Sequence, residues 1–301
     1  MDDLRRACAQ VAAEARHVHV VAEAIPAYAA TLTLPERAPA PAPLTGAARE
    51  HAAASVLTLD AINFGSGWFP TLRKRPGLSG YGTVAAGLAE HEARHGPFTA
   101  AALTRLGPED LGRLTGQDAE HPLMTLFAAS LNDLGARVAS DHGGGFARLV
   151  DGAGGSAVSF ARALGRWPCF ADCSRLNGHV LPFLKRAQIA AADLARARVV
   201  SWADLDRLTM FADNLVPHVL RLDGVLRFAP ALVARIEREE LITHGSREEV
   251  EIRACALHAV EAITAARPGS CAAEVDQRLW ERGGGAAYKA RPRHRSRCTA
   301  Y

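Results

Sequence analysis

Several features that would classify this chain at a glance are scarce or missing from it. Aromatic residues make up 6 % of its 301 positions and methionine occurs three times. No apolar run reaches the roughly eighteen residues that a membrane-spanning helix needs. The formal charge of +3 is too small to announce a nucleic-acid surface. Six cysteines are scattered at 8, 169, 173, 255, 271 and 298, and only two are neighbours. Their Cys-x3-Cys spacing, followed by His179, fits structural zinc sites poorly. Free thiols in a reducing compartment are the simpler account. The glycines at 143–145 are not followed by a lysine and a hydroxyl residue, which excludes a phosphate loop. No repeat period of about 30–45 residues is visible, against a regular solenoid. The N-terminal MDDLRR has no signal-peptide core, so the chain reads as cytoplasmic.

What is present is an ordinary globular balance, 49 % hydrophobic and 22 % charged. The chain is long enough to bury a core, and its many alanines incline it towards helix. Apolar spacing predicts one amphipathic helix over 2–24, with Leu4, Cys8, Val11 and Ala12 on one side. The proline-rich segment 35–44 cannot be helical and joins that helix to the body. Residues 48–62 read as helix or buried strand, and 63–81 as an irregular loop. Helices separated by turns fill 83–135, one of them opening at Pro108. A further helix covers 157–164.

The turn at Asn177-Gly178 predicts a hairpin between strands at 167–173 and 179–184, the only sheet expected. A helix opens near Phe183 and places Lys185, Gln188 and Ala192 on one face. Ser201 reads as the N-cap of a helix running into 208–217. Ser246 and Glu249 form a capping box for a helix to residue 265, in which Glu249 can pair with Arg253. A short helix is expected at 276–280, and Trp202 and Trp280 read as core. The whole reads as a mainly α, single-domain fold over 1–301 with a small β-hairpin. Residues 1–45 form its N-terminal helix and connection.

The stretch LTMFADNLVP at 208–217 stands out. Leu208, Phe211, Ala212 and Leu215 fall at helical spacing, with one carboxylate, Asp213, among them. A buried carboxylate is costly unless it is paired or used. Asp213 is therefore either a helix cap or satisfied core residue, or a functional acid.

Several segments taken in order resemble a known family. They are DAINF at 60–64, FLKRAQI at 183–189, LTMFAD at 208–213, EVEIRA at 249–254, LW at 279–280 and the closing HRSRCTAY at 294–301. The chain resembles the queuosine salvage proteins, queuosine 5′-phosphate N-glycosylase/hydrolases, over about residues 50–301. The resemblance implies an all-helical fold akin to helical-repeat DNA glycosylases. It also implies hydrolysis of the N-glycosidic bond of queuosine 5′-phosphate, releasing queuine and ribose 5-phosphate, with no metal or organic cofactor. Asp213 matches the family's catalytic aspartate and Phe211 an aromatic that contacts the base. Lys185 matches a position near the site, Asp193 and Asp276 acidic positions of the pocket, and Asn63, Phe64 and Tyr81 further positions. The chain departs from the family pattern at Leu184, Asn214, Leu215 and Glu281, and in the GSG step at 65–67.

The chemistry implied is economical. Breaking a C–N glycosidic bond passes through an oxocarbenium-like sugar, which calls for a carboxylate beneath the anomeric carbon. Phe211 or Phe64 would stack on the base. The 5′-phosphate asks for fixed positive charge, for which Lys185, Arg186, Arg297 and His294 are candidates. Arg253 reads as a structural ion pair. The partners expected are a small nucleotide and the released base, with no membrane, no direct nucleic-acid contact and no need for more than a monomer. The alternatives are a glycosylase acting on bases within nucleic acid and a non-catalytic helical binding protein.

Overall fold

The computed structural model describes residues 1–34 and 42–301. The expected proline-rich connection at 35–44 falls largely outside them. Helices dominate, and they bury their apolar faces in two adjoining cores. The first core is built by α3 (Gly46–Ala61), α4 (Gly80–His95), α5 (Ala100–Leu103), α6 (Pro108–Thr115), α7 (Pro122–His142), α8 (Phe146–Asp151) and α9 (Ala157–Leu164). A hairpin follows, β1 (Ser174–Leu176) with β2 (His179–Leu181), and then α10 (Lys185–Arg196). The second core gathers α11 (Leu215–Leu222), α12 (Pro230–Glu237), α13 (Arg247–Ala265), α14 (Ala272–Gly283) and the short α15 (Ala286–Lys289). Two N-terminal helices, Asp2–Ala13 and Ile25–Thr31, pack on α13.

The central beam of the second core is α13, buried on nearly every side, with Glu249, Glu251 and Arg253 inside as well as its apolar residues. Such all-round burial forces its charges to find partners. Glu251 Oε2 accepts the backbone N–H groups of Arg16 and His17, at 3.0 and 2.7 Å. That capture ends the N-terminal helix at Ala13, so the single helix expected over 2–24 is corrected. Residues Val18–Val20 instead pair antiparallel with Leu226–Phe228, a second small sheet that the local pattern did not announce. The first helix braces the body through Arg5, which donates to the carbonyls of Arg207 and Leu208 and pairs with Glu261.

Other expectations need smaller corrections. The hairpin turn is at Asn177-Gly178 as read, but Pro168–Phe170 is a 3-10 turn and the first strand starts only at Ser174. Ser201 is exposed and caps nothing. Trp202 is core, its indole N–H donating to the Ala191 carbonyl at 2.8 Å, whereas Trp280 is 43 % exposed. Ser246 does cap α13, but Glu249 reaches back to the N–H of Gly245 rather than of Ser246. The helix expected at 276–280 extends over Ala272–Gly283. The basic tail packs onto the body. Gly65 N–H donates to the Tyr301 carbonyl, Ile242 N–H to that of Arg295, and a Cβ at Gly67 would lie 2.3 Å from the Ser296 oxygen.

The largest correction concerns 208–217. Residues 208–214 are not helical, and α11 begins only at Leu215, with Pro217 in its first turn. The segment runs along the seam between the two cores. Met210 and Ala212 enter one core while Phe211, between them, enters the other. Remote side chains take over its backbone bonds: Gln188 accepts from Thr209 N, Asp276 from Phe211 N, and Arg253 donates to the Ala212 carbonyl. Arg253 also pairs with Asp172 at 2.7 Å, both fully buried, so its tie to Asp172 is closer than the expected one to Glu249 at 3.7 Å.

Removing one partner of such a pair leaves a buried charge uncompensated. Asp172→Asn or Arg253→Met should each cost about 3–5 kcal/mol of unfolding free energy in urea. The double variant should lose clearly less than the sum. Additive losses would mean that the two groups do not act as a pair.

Candidate functional site

The seam brings five elements to one place. The C-terminal end of α3 supplies Asp60 and the turn after it Asn63, and α4 supplies Tyr81 in its first turn. From α10 come Lys185 and Asp193, the 208–214 segment brings Phe211 and Asp213, and α14 brings Asp276. The start of α10 is set by one carboxylate. Asp172 accepts the Leu184 N–H on its backbone oxygen, at 3.1 Å, and the Lys185 N–H on its side chain, at 2.9 Å. Leu184 between them takes a left-handed conformation, φ +51°, at a cost of about 1–2 kcal/mol for a side chain of this kind. The same Asp172 oxygen holds Arg253, and Arg253 holds the carbonyl of Ala212. Lys185 and Asp213 are thus positioned from a single ion pair.

Asp213 fills the first of the roles read for it, that of a helix cap. Its Oδ1 accepts the N–H groups of Leu215 and Val216, at 2.8 and 3.1 Å, and so caps α11. Its Oδ2 makes no hydrogen bond or ion pair among the described residues, and the side chain is only part-buried.

Around it the remaining carboxylates are held differently. Asp276 is 4 % exposed and its Oδ1 accepts the Phe211 N–H at 3.0 Å. Burial, reinforced by the charge of Asp213, pushes its carboxyl well above the usual range. Asp60, 1 % exposed, is also pushed well up, by burial and then by Asp193, and its Oδ2 has no partner. Asp193 is raised by burial against the pull of Arg196 and Lys185. Lys185 lies under this group, its Nζ donating to the backbone and side-chain oxygens of Asn63 at 3.0 and 3.3 Å. Burial lowers its ammonium below the usual range, and Asp213 works against that shift. The Tyr81 hydroxyl is raised by burial and by Asp60 and Asp193, which places it in the same cluster.

Of the residues singled out in the sequence, then, Asp213, Asp276, Lys185, Asp193, Asn63, Tyr81 and Phe211 come together. Phe64 does not open onto the cluster; it is 1 % exposed, edge-on to Phe127, with the Arg186 guanidinium 4.9 Å from its ring centre. Arg297 is exposed and lies over Trp68. Two residues escaped the sequence reading, Asp60 and Arg293. Asp60 was within a quoted motif, and its signal was an acid closing an apolar helix. Arg293, in the tail, lies near enough to Asp213 for the carboxylate to act on it, and nothing in a run of arginines distinguishes it. Two hollows, of about 450 and 380 Å³, lie elsewhere, around Arg73, Arg113 and Gln117 and around Arg75, His91 and Phe98. They run between arginines already paired on the surface, Arg75 with Glu90 and Arg113 with Asp110. Among the described residues no group of three or more His, Cys, Asp or Glu is placed to hold a metal ion.

The fold is helical, and a cluster of acids gathers where its two cores meet. The chain belongs to the queuosine salvage protein family, whose model matches residues 44–301. It is 35 % identical over 266 residues to the queuosine 5′-phosphate N-glycosylase/hydrolase of Sphaerobacter thermophilus, covering 84 % of this chain and 82 % of that one. Proteins of the same name from Nematostella vectensis and Schizosaccharomyces pombe are 32 % and 34 % identical. Those matches cover 69 % and 39 % of this chain, and 64 % and 36 % of theirs.

The raised carboxyl of Asp276 has a consequence for stability. A native state that holds its proton to higher pH than the unfolded chain binds more protons in between, so stability falls as pH rises from about 4 through the folded value. Asp276→Asn keeps the acceptor for Phe211 and removes that loss. Its melting temperature should match the parent's near pH 4 and exceed it increasingly towards pH 8. A constant offset between the two melting curves would rule out the shift.

Proposed function

We propose that this protein hydrolyses the N-glycosidic bond of queuosine 5′-phosphate, releasing queuine and ribose 5-phosphate. The observation that carries the reading is the contrast between two neighbouring carboxyl groups, Asp213 with one oxygen free and Asp276 sealed by burial. Pairs of acids whose surroundings push them apart are how a site divides acid and base work at neutral pH. Asp213 sits beneath the anomeric carbon and stabilises the positive charge that develops there as the C–N bond stretches. Asp276 keeps its proton and donates to the departing base, which gains negative charge. Water then adds its hydroxyl to the anomeric carbon, and the proton it gives up restores the Asp276 carboxyl. Lys185 holds the Asn63 loop against the cluster, and Phe211 lines the base side.

Support comes from the family membership and from the names of the relatives, which act on queuosine 5′-phosphate. A free nucleotide is favoured over nucleic acid because the chain is close to neutral, +3, and the site lies at a seam rather than along a basic groove. Six cysteines, none of them in a disulfide, suit the cytoplasm.

Incubation with queuosine 5′-phosphate, and with GMP as control, should yield free queuine and no guanine by mass spectrometry. Asp213→Asn should lose turnover by about a thousandfold, the size of a lost charge-stabilising group, while binding the nucleotide about as well as the parent. Queuine release by Asp213→Asn at the parental rate would remove the assigned acid.

A further inference from the structure

Arg253 has two of its nitrogens satisfied and one left over. Nε donates to the Ala212 carbonyl at 2.9 Å and Nη2 to Asp172 at 2.7 Å. Nη1 is buried without a hydrogen bond, 3.7 Å from Glu249 Oε1. An unmet donor on a buried guanidinium is costly, and a carboxylate this near gains by closing on it. Something holds Glu249 back.

The restraint comes from the loop that leads into α13. Glu249 Oε2 accepts the Gly245 N–H at 3.0 Å, and Oε1 meets Nδ1 of His244 at 3.2 Å. His244 and Arg253 therefore claim the same oxygen, and the shorter contact is the one to His244. Hydrogen bonds with Cys298 and Glu249 push the His244 ring up to about 10, so its hold on the carboxylate is charge-assisted at neutral pH. Tyr301 also faces the ring, edge-on, with centres 6.2 Å apart. The His244 side chain is 33 % exposed, whereas that of Glu249 is not exposed at all. A change at His244 therefore reaches a buried network without emptying a core position.

The consequence extends to the seam. If His244 releases Oε1, Glu249 is free to close on Nη1 and draw the guanidinium from the Ala212 carbonyl and from Asp172. Ala212 precedes Asp213, the acid assigned to the sugar, and Asp172 fixes the start of α10 at Lys185.

We propose that His244 is a positioning residue for the glycosidic cleavage: by holding Glu249 it leaves Arg253 to Ala212 and Asp172, and so keeps Asp213 in place. The assignment rests on the activity proposed above. His244 acts through Glu249 and Arg253 rather than on the nucleotide.

The test compares the parent with His244→Ala and His244→Asn on queuosine 5′-phosphate. Asparagine sets an N–H donor close to where Nδ1 stands, without the ring or its charge. In His244→Ala, kcat should fall at least about tenfold, the scale of a small misplacement at a reacting group, with KM little changed. His244→Asn should recover part of that loss. A parental kcat in His244→Ala, a rise in KM alone, or an equal loss in both variants overturns the assignment. A second arm needs no turnover. A crystal structure of His244→Ala should show Glu249 Oε1 within about 3 Å of Arg253 Nη1, and the Ala212 carbonyl farther from Nε than in the parent. An Arg253 that has not moved overturns the proposal, whatever the rates. Release of no queuine by the parent, alongside the expected movement of Arg253, would instead sink the catalytic reading and leave the restraint by His244 standing.

Discussion

One buried ion pair sets the geometry on which the rest depends. Asp172 and Arg253 meet at 2.7 Å with no exposure to water, and each holds a second piece of the site. Asp172 accepts the first N–H of α10 and so fixes Lys185; Arg253 donates to the carbonyl just before Asp213. The guanidinium is packed between the rings of Phe183 and Tyr301, 4.1 and 4.8 Å from their centres. Glu249 adds a further carboxylate to the same network. Burial alone would raise it, but His244 and Arg253 hold it at about 2. A buried pair of this kind is a poor source of net stability compared with apolar packing. Its value lies in specifying where two backbone segments from different cores must stand.

That placement explains why acids can survive in the seam. The 208–214 segment gives up helical hydrogen bonds, and its polar backbone groups are met by Gln188, Asp276 and Arg253. Asp276 holds the segment directly: one oxygen orients Phe211, and burial raises its carboxyl above the usual range. Asp213 is divided in the same way, one oxygen capping α11 and the other free. The site does not sit on flexible loops added to the fold; it is the joint between the cores. Substitutions that loosen the joint are expected to affect fold and activity together.

Much of the helical framework was legible from local pattern. The helix over Ala157–Leu164, the one opening at Pro108 and the capped start of α13 each follow from spacing and capping residues within a few positions. The segment at 208–214 was not legible, because the groups that hold it lie 21, 41 and 65 residues away in sequence. Its apolar spacing suits a helix, and tertiary bonds override it. The early end of the first helix has the same cause, a carboxylate more than two hundred residues distant. Among the site residues, the acids Asp213, Asp193 and Asp276 could be picked out from family-like motifs. Phe64 could not be told from a core aromatic, and Arg293 could not be chosen from its neighbours. Both distinctions depend on what each side chain meets after folding.

The central claim is that the nucleotide lies in the seam, with its anomeric carbon at Asp213. The most direct test is a crystal structure of Asp213→Asn with queuosine 5′-phosphate bound. The account predicts the anomeric carbon against residue 213 and the base on the side of Phe211 and Asp276. A nucleotide bound intact in the arginine-lined hollows of α4 and α6, with the seam empty, would contradict it.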